Sequence, residues 1–139
     1  MNINQKKEIA LKEFLNTPKD ERYKFLILKG RELPELKSEY KTDKYKIKGC
    51  QSQVWVYPEY KDGKLYFKLD GEAAIIKGIL VILNEIYSGS TPDEILALNE
   101  DFLTESGLIE NLSMTRSNGI AQVIKQIKMY ALVFKSLNK

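Results

Sequence analysis

The sequence predicts an α+β fold: a small antiparallel sheet of about three strands, packed on one face by helices. Three observations predict it. Residues 45–47, 54–60 and 64–69 are short runs rich in β-branched and aromatic residues, the last two joined at Asp62-Gly63, a favoured hairpin turn. Residues 73–87 follow at once as a long, almost wholly apolar run. Helical spacing of apolar residues flanks this middle region on both sides.

Taken in order, residues 4–15 place Ile9, Leu11, Phe14 and Leu15 on a helical stripe. Thr17-Pro18-Lys19-Asp20 reads as a helix start, with Thr17 as N-cap, Pro18 at the first helical position and Asp20 reaching back. That helix runs through Tyr23, Leu26 and Ile27 and stops at Gly30. Leu33-Pro34 turns the chain out, and the polar stretch 38–43 is a candidate connection too short to divide domains. Residues 45–47 read as a short strand and 49–52 as the loop after it. Pro58 places its strand at a sheet edge or at a bulge. Residues 73–87, apolar on all sides, read as a central helix covered by the sheet and by other helices. Ser88-Gly89-Ser90 ends it, Thr91-Pro92-Asp93-Glu94 starts another helix, and a short helix over 101–106 closes at Gly107. Ser113 or Thr115 caps a last helix carrying Ile120, Val123, Ile124, Ile127, Tyr130, Ala131 and Phe134.

Length and composition set the class. A chain of 139 residues with 43% hydrophobic content is expected to form one domain over 1–139 with a moderate core. A net charge of +3, with both signs spread along the chain, does not point to nucleic acid. The longest apolar run is far short of the roughly 20 residues of a membrane span. Residues 1–13 are polar and lack an apolar signal core. The expected location is cytoplasmic, where a thiol stays reduced.

The chain has one cysteine, Cys50, and no histidine. Triads, histidine metal ligands and an internal disulfide are therefore excluded, and covalent chemistry falls first to the Cys50 thiolate. Without an imidazole neighbour it suits a reaction with little proton movement, such as passing sulfur between thiols. Gly49 gives the backbone freedom for a tight turn or close approach. Lys44, Lys46 and Lys48 alternate along the approach, share one face of an extended strand, and are placed to lower the thiol pKa or to steer an acidic partner. The competing reading is a buried, inert cysteine packed beside Trp55.

Gly49-Cys50-Gln51-Ser52-Gln53-Val54-Trp55 resembles the signature of the SufE family of sulfur acceptors, which work with cysteine desulfurases in iron–sulfur cluster assembly. Leu33-Pro34-Glu35-Leu36, Ala73-Ala74-Ile75-Ile76-Lys77-Gly78 and Leu112-Ser113-Met114-Thr115-Arg116-Ser117-Asn118-Gly119 resemble further family segments in the same order, so the likeness runs over nearly the whole chain. The chain departs from many relatives at Asp70-Gly71-Glu72, where they carry a Ser-Asp or Asp-Ser-Asp turn.

The resemblance implies a fold similar to the IscU scaffold. It implies that Cys50 takes sulfane sulfur by transpersulfidation from a SufS-like, pyridoxal-phosphate-dependent desulfurase and passes it to a SufBCD-like scaffold of the SUF system, or to a related pair. The chain would act as desulfurase activator rather than as an enzyme, as a monomer or weak dimer. Pyridoxal phosphate would reside on the partner; no cofactor, metal, nucleic-acid or membrane site is expected in this chain. The alternative is a scaffold or regulatory binding module with a structural Cys50. Cluster and zinc sites normally take several Cys or His ligands, which this chain lacks.

Supporting or partner-binding roles are expected for Gly49, Gln51, Gln53, Glu72 and Arg116. Arg116 is either a positive charge near the sulfur or partner, or a helix-start arginine tied to a carboxylate such as Glu72. Gln51 and Gln53 orient the loop. Asp70-Gly71-Glu72 reads most simply as a turn with a helix N-terminal charge, and Trp55 as a core or rim aromatic.

Overall fold

The structure, a computed structural model, describes residues 1–48 and 52–137. Helix α1 (Ile3–Asn16) is closed at its start by an Asn2–Gln5 capping box. At its end the Thr17 hydroxyl donates back to the Glu13 carbonyl at 2.7 Å. Thr17 is thus spent on α1, which corrects its reading as an N-cap. A 3-10 turn, Lys19–Glu21, intervenes before α2 (Arg22–Gly30).

Among the described residues the sheet has two strands, β1 (Val54–Lys61) and β2 (Lys64–Gly71), paired antiparallel from Val54↔Gly71 to Lys61↔Lys64. Asp62 (φ 52°) and Gly63 (φ 79°) both lie in the left-handed region, as a type I′ turn requires. The expected third strand contracts to one bridge, Lys46↔Trp55. Flanking it, Ile47 N donates to Val54 O at 2.8 Å and Val56 N donates to Tyr45 O at 2.9 Å. The reason is local. Tyr45 N is already turned onto Thr42 O. The next rung on that edge falls to Pro58, which has no N–H.

Helix α3 (Ala74–Tyr87) is buried nearly all round, as its composition predicts. The inner hairpin face, with Val54, Val56, Leu65, Phe67 and Leu69, packs in the same core cluster. Helix α2 crosses α3 where Gly30 and Gly78 let the main chains meet. Gly89 (φ 79°) turns the chain after α3, and Gly89 N donates to Leu65 O along the outer edge of β2. A Thr91–Glu94 capping box starts α4 (Pro92–Ala97), and the short α5 (Phe102–Glu105) precedes a turn at Gly107. Ser113 Oγ accepts from Arg116 N at 3.2 Å at the start of α6 (Met114–Leu137). Helix α6 lies against α4 and β1 and stacks Phe134 on Tyr60. Among the described residues, no helix is long and apolar enough to cross a membrane.

Candidate functional site

Gly49, Cys50 and Gln51, the centre of the expected site, lie outside the described residues. Their flanks are defined. Lys48 is exposed on one side; half-buried Ser52 and exposed Gln53 stand on the other. Gln53 continues the hairpin ladder by one rung: Glu72 N donates to Gln53 O at 3.0 Å, and Gln53 N donates to Glu72 Oε1 at 3.0 Å. The Glu72 carboxylate therefore holds the strand end on which the Cys50 segment enters. Gln53 is engaged through its main chain.

The structure does not bring Glu72 to Arg116. Arg116 sits in the first turn of α6, and its Nε is buried without a hydrogen-bond partner. The ion pair considered from sequence is absent among the described residues. A buried, unmatched guanidinium nitrogen carries a desolvation cost of about 1–3 kcal/mol.

Asp70, read from sequence as part of a simple turn, is 3% exposed. Its Oδ2 accepts from Leu36 N at 3.1 Å and meets Lys41 Nζ at 3.2 Å. Its Oδ1 accepts from Gly71 N at 2.8 Å and lies 3.9 Å from Lys77 Nζ. Lys41 also places its ammonium 5.5 Å from the centre of the Trp55 ring, while Trp55 itself is buried. Asp70 thus clamps the Leu33-Pro34-Glu35-Leu36 segment to the end of the hairpin. Buried charges are tolerated when paired and hydrogen-bonded in this way. Beside the clamp an open cleft of about 570 Å³ is bordered by Leu33, Lys41, Gln53, Trp55, Glu72 and Lys77. The sequence contained one signal for Asp70: an acid set between Leu69 and Gly71 in an otherwise alternating strand.

The outer face of the hairpin receives the rest of the strap, the segment over residues 33–48 that begins at the clamped Leu33-Pro34. Tyr57 packs on Tyr40 (ring centres 4.0 Å apart) and on Tyr45 (4.9 Å), and Lys68 lies over Tyr40 at 5.6 Å. Desolvation in this cluster, followed by the Tyr40 hydroxyl, raises the Tyr57 phenol above its usual value. Lys44, Lys46 and Lys48 are exposed and border one cleft rather than a strand face. Among the described residues no group of three or more acidic, Cys or His side chains is arranged to hold a metal.

The chain is matched over residues 8–131 by the family model described as SufE, an Fe-S metabolism associated domain. The chain belongs to the SufE family. An uncharacterized SufE-like protein of Rhizobium etli is 37% identical over 119 residues, covering 82% of this chain and 80% of that protein. SufE-like proteins of Synechocystis and Rhizobium meliloti are 32% identical (86% of this chain, 76% of theirs) and 35% identical (81% and 84%). The solution structure of a hypothetical protein from Thermus thermophilus shares the fold, with a TM-score of 0.77 over 96% of this chain and 97% of that one, at 21% identity. Membership in SufE associates this chain with iron–sulfur metabolism.

Proposed function

We propose that this protein is a sulfur acceptor and activator for a pyridoxal-phosphate-dependent cysteine desulfurase, with Cys50 as the carrier. One observation carries the reading: the SufE match spans the only thiol in the chain. The Cys50 thiolate attacks the outer sulfur of the donor's cysteine persulfide. A new S–S bond forms at Cys50, the donor's S–S bond breaks, and the donor cysteine leaves as thiolate. No net oxidant, reductant or general base is required, in keeping with a chain that has no histidine. Emptying the donor cysteine frees it for the next turnover, which is how an acceptor raises the desulfurase rate. Cys50 then yields its sulfur to an iron–sulfur assembly scaffold.

The Gln53–Glu72 pairing on one side and the Ile47–Val54 main-chain bond on the other support this reading by tying both flanks of the Cys50 segment to the hairpin. The test is intact-mass spectrometry after incubation with a cysteine desulfurase and cysteine. Cys50 is expected to gain one sulfur atom, reversed by thiol reductant, and Cys50→Ser to gain none while losing the rate stimulation. Sulfur uptake by Cys50→Ser would refute the carrier. Intact binding without sulfur gain by the natural chain would favour a regulatory module with a structural cysteine.

A further inference from the structure

A cleft of about 400 Å³ separates the lysine strap from α6. One wall carries Lys44, Lys46 and Lys48; the other carries Gln122, Gln126 and Tyr130, one helical turn apart. Asp43 is the one acidic residue bordering it, so three lysines less one aspartate leave the lining at +2. None of the three lysines is in an ion pair among the described residues, although Lys44 lies over the Tyr45 ring at 5.4 Å. The facing helix supplies neutral hydrogen-bonding groups and no carboxylate. The cleft therefore holds positive charge that its own lining only partly offsets.

The same face of α6 continues past the cleft. Residues 122, 126, 129, 133 and 137 follow at intervals of three and four and share one stripe. Its outer part is apolar and open to solvent: Met129 is 49% exposed, Val133 44% and Leu137 73%. From 129 to 137 that is about 12 Å of helix. A positive cleft running into an apolar stripe is complementary to a peptide segment that is acidic at one end and apolar at the other. A single small anion would leave the stripe uncovered. The place is also defined by the covalent chain: Lys48 precedes Cys50 by two residues, a reach of about 7 Å at most.

We propose that this groove docks an acidic, apolar-ended segment of the desulfurase that loads Cys50. The inference rests on the sulfur-acceptor reading and adds the chemistry of the partner surface. Lysines are flexible, strongly hydrated charges, so they set encounter rate and salt dependence. The α6 stripe supplies the less salt-sensitive hold.

The test measures the affinity of the full chain for the cysteine desulfurases of the same organism, at low and high salt, alongside sulfur gain on Cys50. The K44E/K46E/K48E variant should bind about tenfold or more weakly at low salt. The corresponding triple glutamine variant should weaken less and flatten the salt dependence. Met129→Gln with Val133→Gln should weaken binding at every salt concentration and leave the salt slope unchanged. All these side chains are exposed, so thermal midpoints should stay within a degree or two of the parent, roughly. Affinities within about twofold of the parent for both sets, with sulfur gain intact, would overturn the groove and leave the carrier standing. Weakened binding in the variants, with no sulfur gain even by the natural chain, would keep the groove and remove the carrier. No binding by the natural chain to any of these desulfurases would overturn both.

Discussion

The core around α3 and the strap over residues 33–48 are built from different forces. Ile79, Leu80, Ile82 and Leu83 are fully buried and apolar. Their burial is favourable in proportion to area and carries little direction. In the strap only Leu36 and Ile47 are buried. What holds it is the Asp70 carboxylate, the Lys41 ammonium over Trp55 and the Tyr40–Tyr45–Tyr57 cluster. Such contacts contribute less net stability but depend strongly on geometry. The difference assigns stability to one region and placement of the Cys50 flank to the other. It follows that the two are separable by mutation.

The largest expected effect is in the core. A Cβ at Gly78 would collide with the carbonyl of Leu26, lying 2.6 Å from its carbon. Backbone on both sides leaves no flexible side chain to give way. Gly78→Ala should force α2 off α3 and cost about 3 kcal/mol. A chain of this length would then melt about 10 °C lower in calorimetry. A midpoint within a degree or two of the parent would show that the helices slide freely, and that the core is less rigid than the crossing implies.

Much of that core was legible in the residues. The 73–87 run announced a central helix because it is apolar on every side, and Asp62-Gly63 announced the hairpin because few other pairs accept two left-handed residues. Local signals misled where two elements competed for one residue. Thr17 looks like an N-cap for α2 but its hydroxyl turns back to Glu13. Residues 45–47 look like a strand, but Pro58 withholds the donor that would extend the ladder. At the site, the motif around Cys50 was legible as a mark of the family, whereas the pairing of Gln53 with Glu72 was not foreseen. Asp70 was not legible as a clamp. Its partners, Leu36, Lys41 and Lys77, come from separate segments, and nothing local in the sequence places them together.

Asp70 breaks the comparison from the other side. Asp70→Ala leaves the buried Leu36 N–H without an acceptor and Lys41 and Lys77 without their shared carboxylate. It should cost about 2 kcal/mol, and Asp70→Asn about 1 kcal/mol, since the amide oxygen still accepts one bond. Hydrogen exchange separates loss of the strap from loss of the fold. The Leu36 amide should exchange by local opening in Asp70→Ala, while amides of Ile79 to Leu83 keep the global rate. A uniform acceleration of both would mean that the strap and the core are one cooperative unit.

The smallest effect carries an unusual sign. Tyr87 is the one large polar-tipped side chain wholly inside the described core: fully buried, with a hydroxyl that has no hydrogen-bond partner. Burial, with a lesser contribution from Glu100, raises its phenol well above the ordinary tyrosine value. A folded-state pKa raised above the unfolded one means that the native protein holds its proton longer. The stabilising contribution is complete below the unfolded value of about 10 and is lost as pH rises beyond it. Tyr87→Phe removes an unsatisfied hydroxyl at nearly constant volume. It should be neutral or stabilising by up to about 1 kcal/mol at pH 7, where most core substitutions destabilise. Denaturant unfolding of the two proteins from pH 8 to 11 should show the parent losing stability faster above pH 10. Parallel curves, or a destabilised phenylalanine variant, would mean that the Tyr87 hydroxyl is satisfied in solution, and that the core is less purely apolar than its contrast with the strap requires.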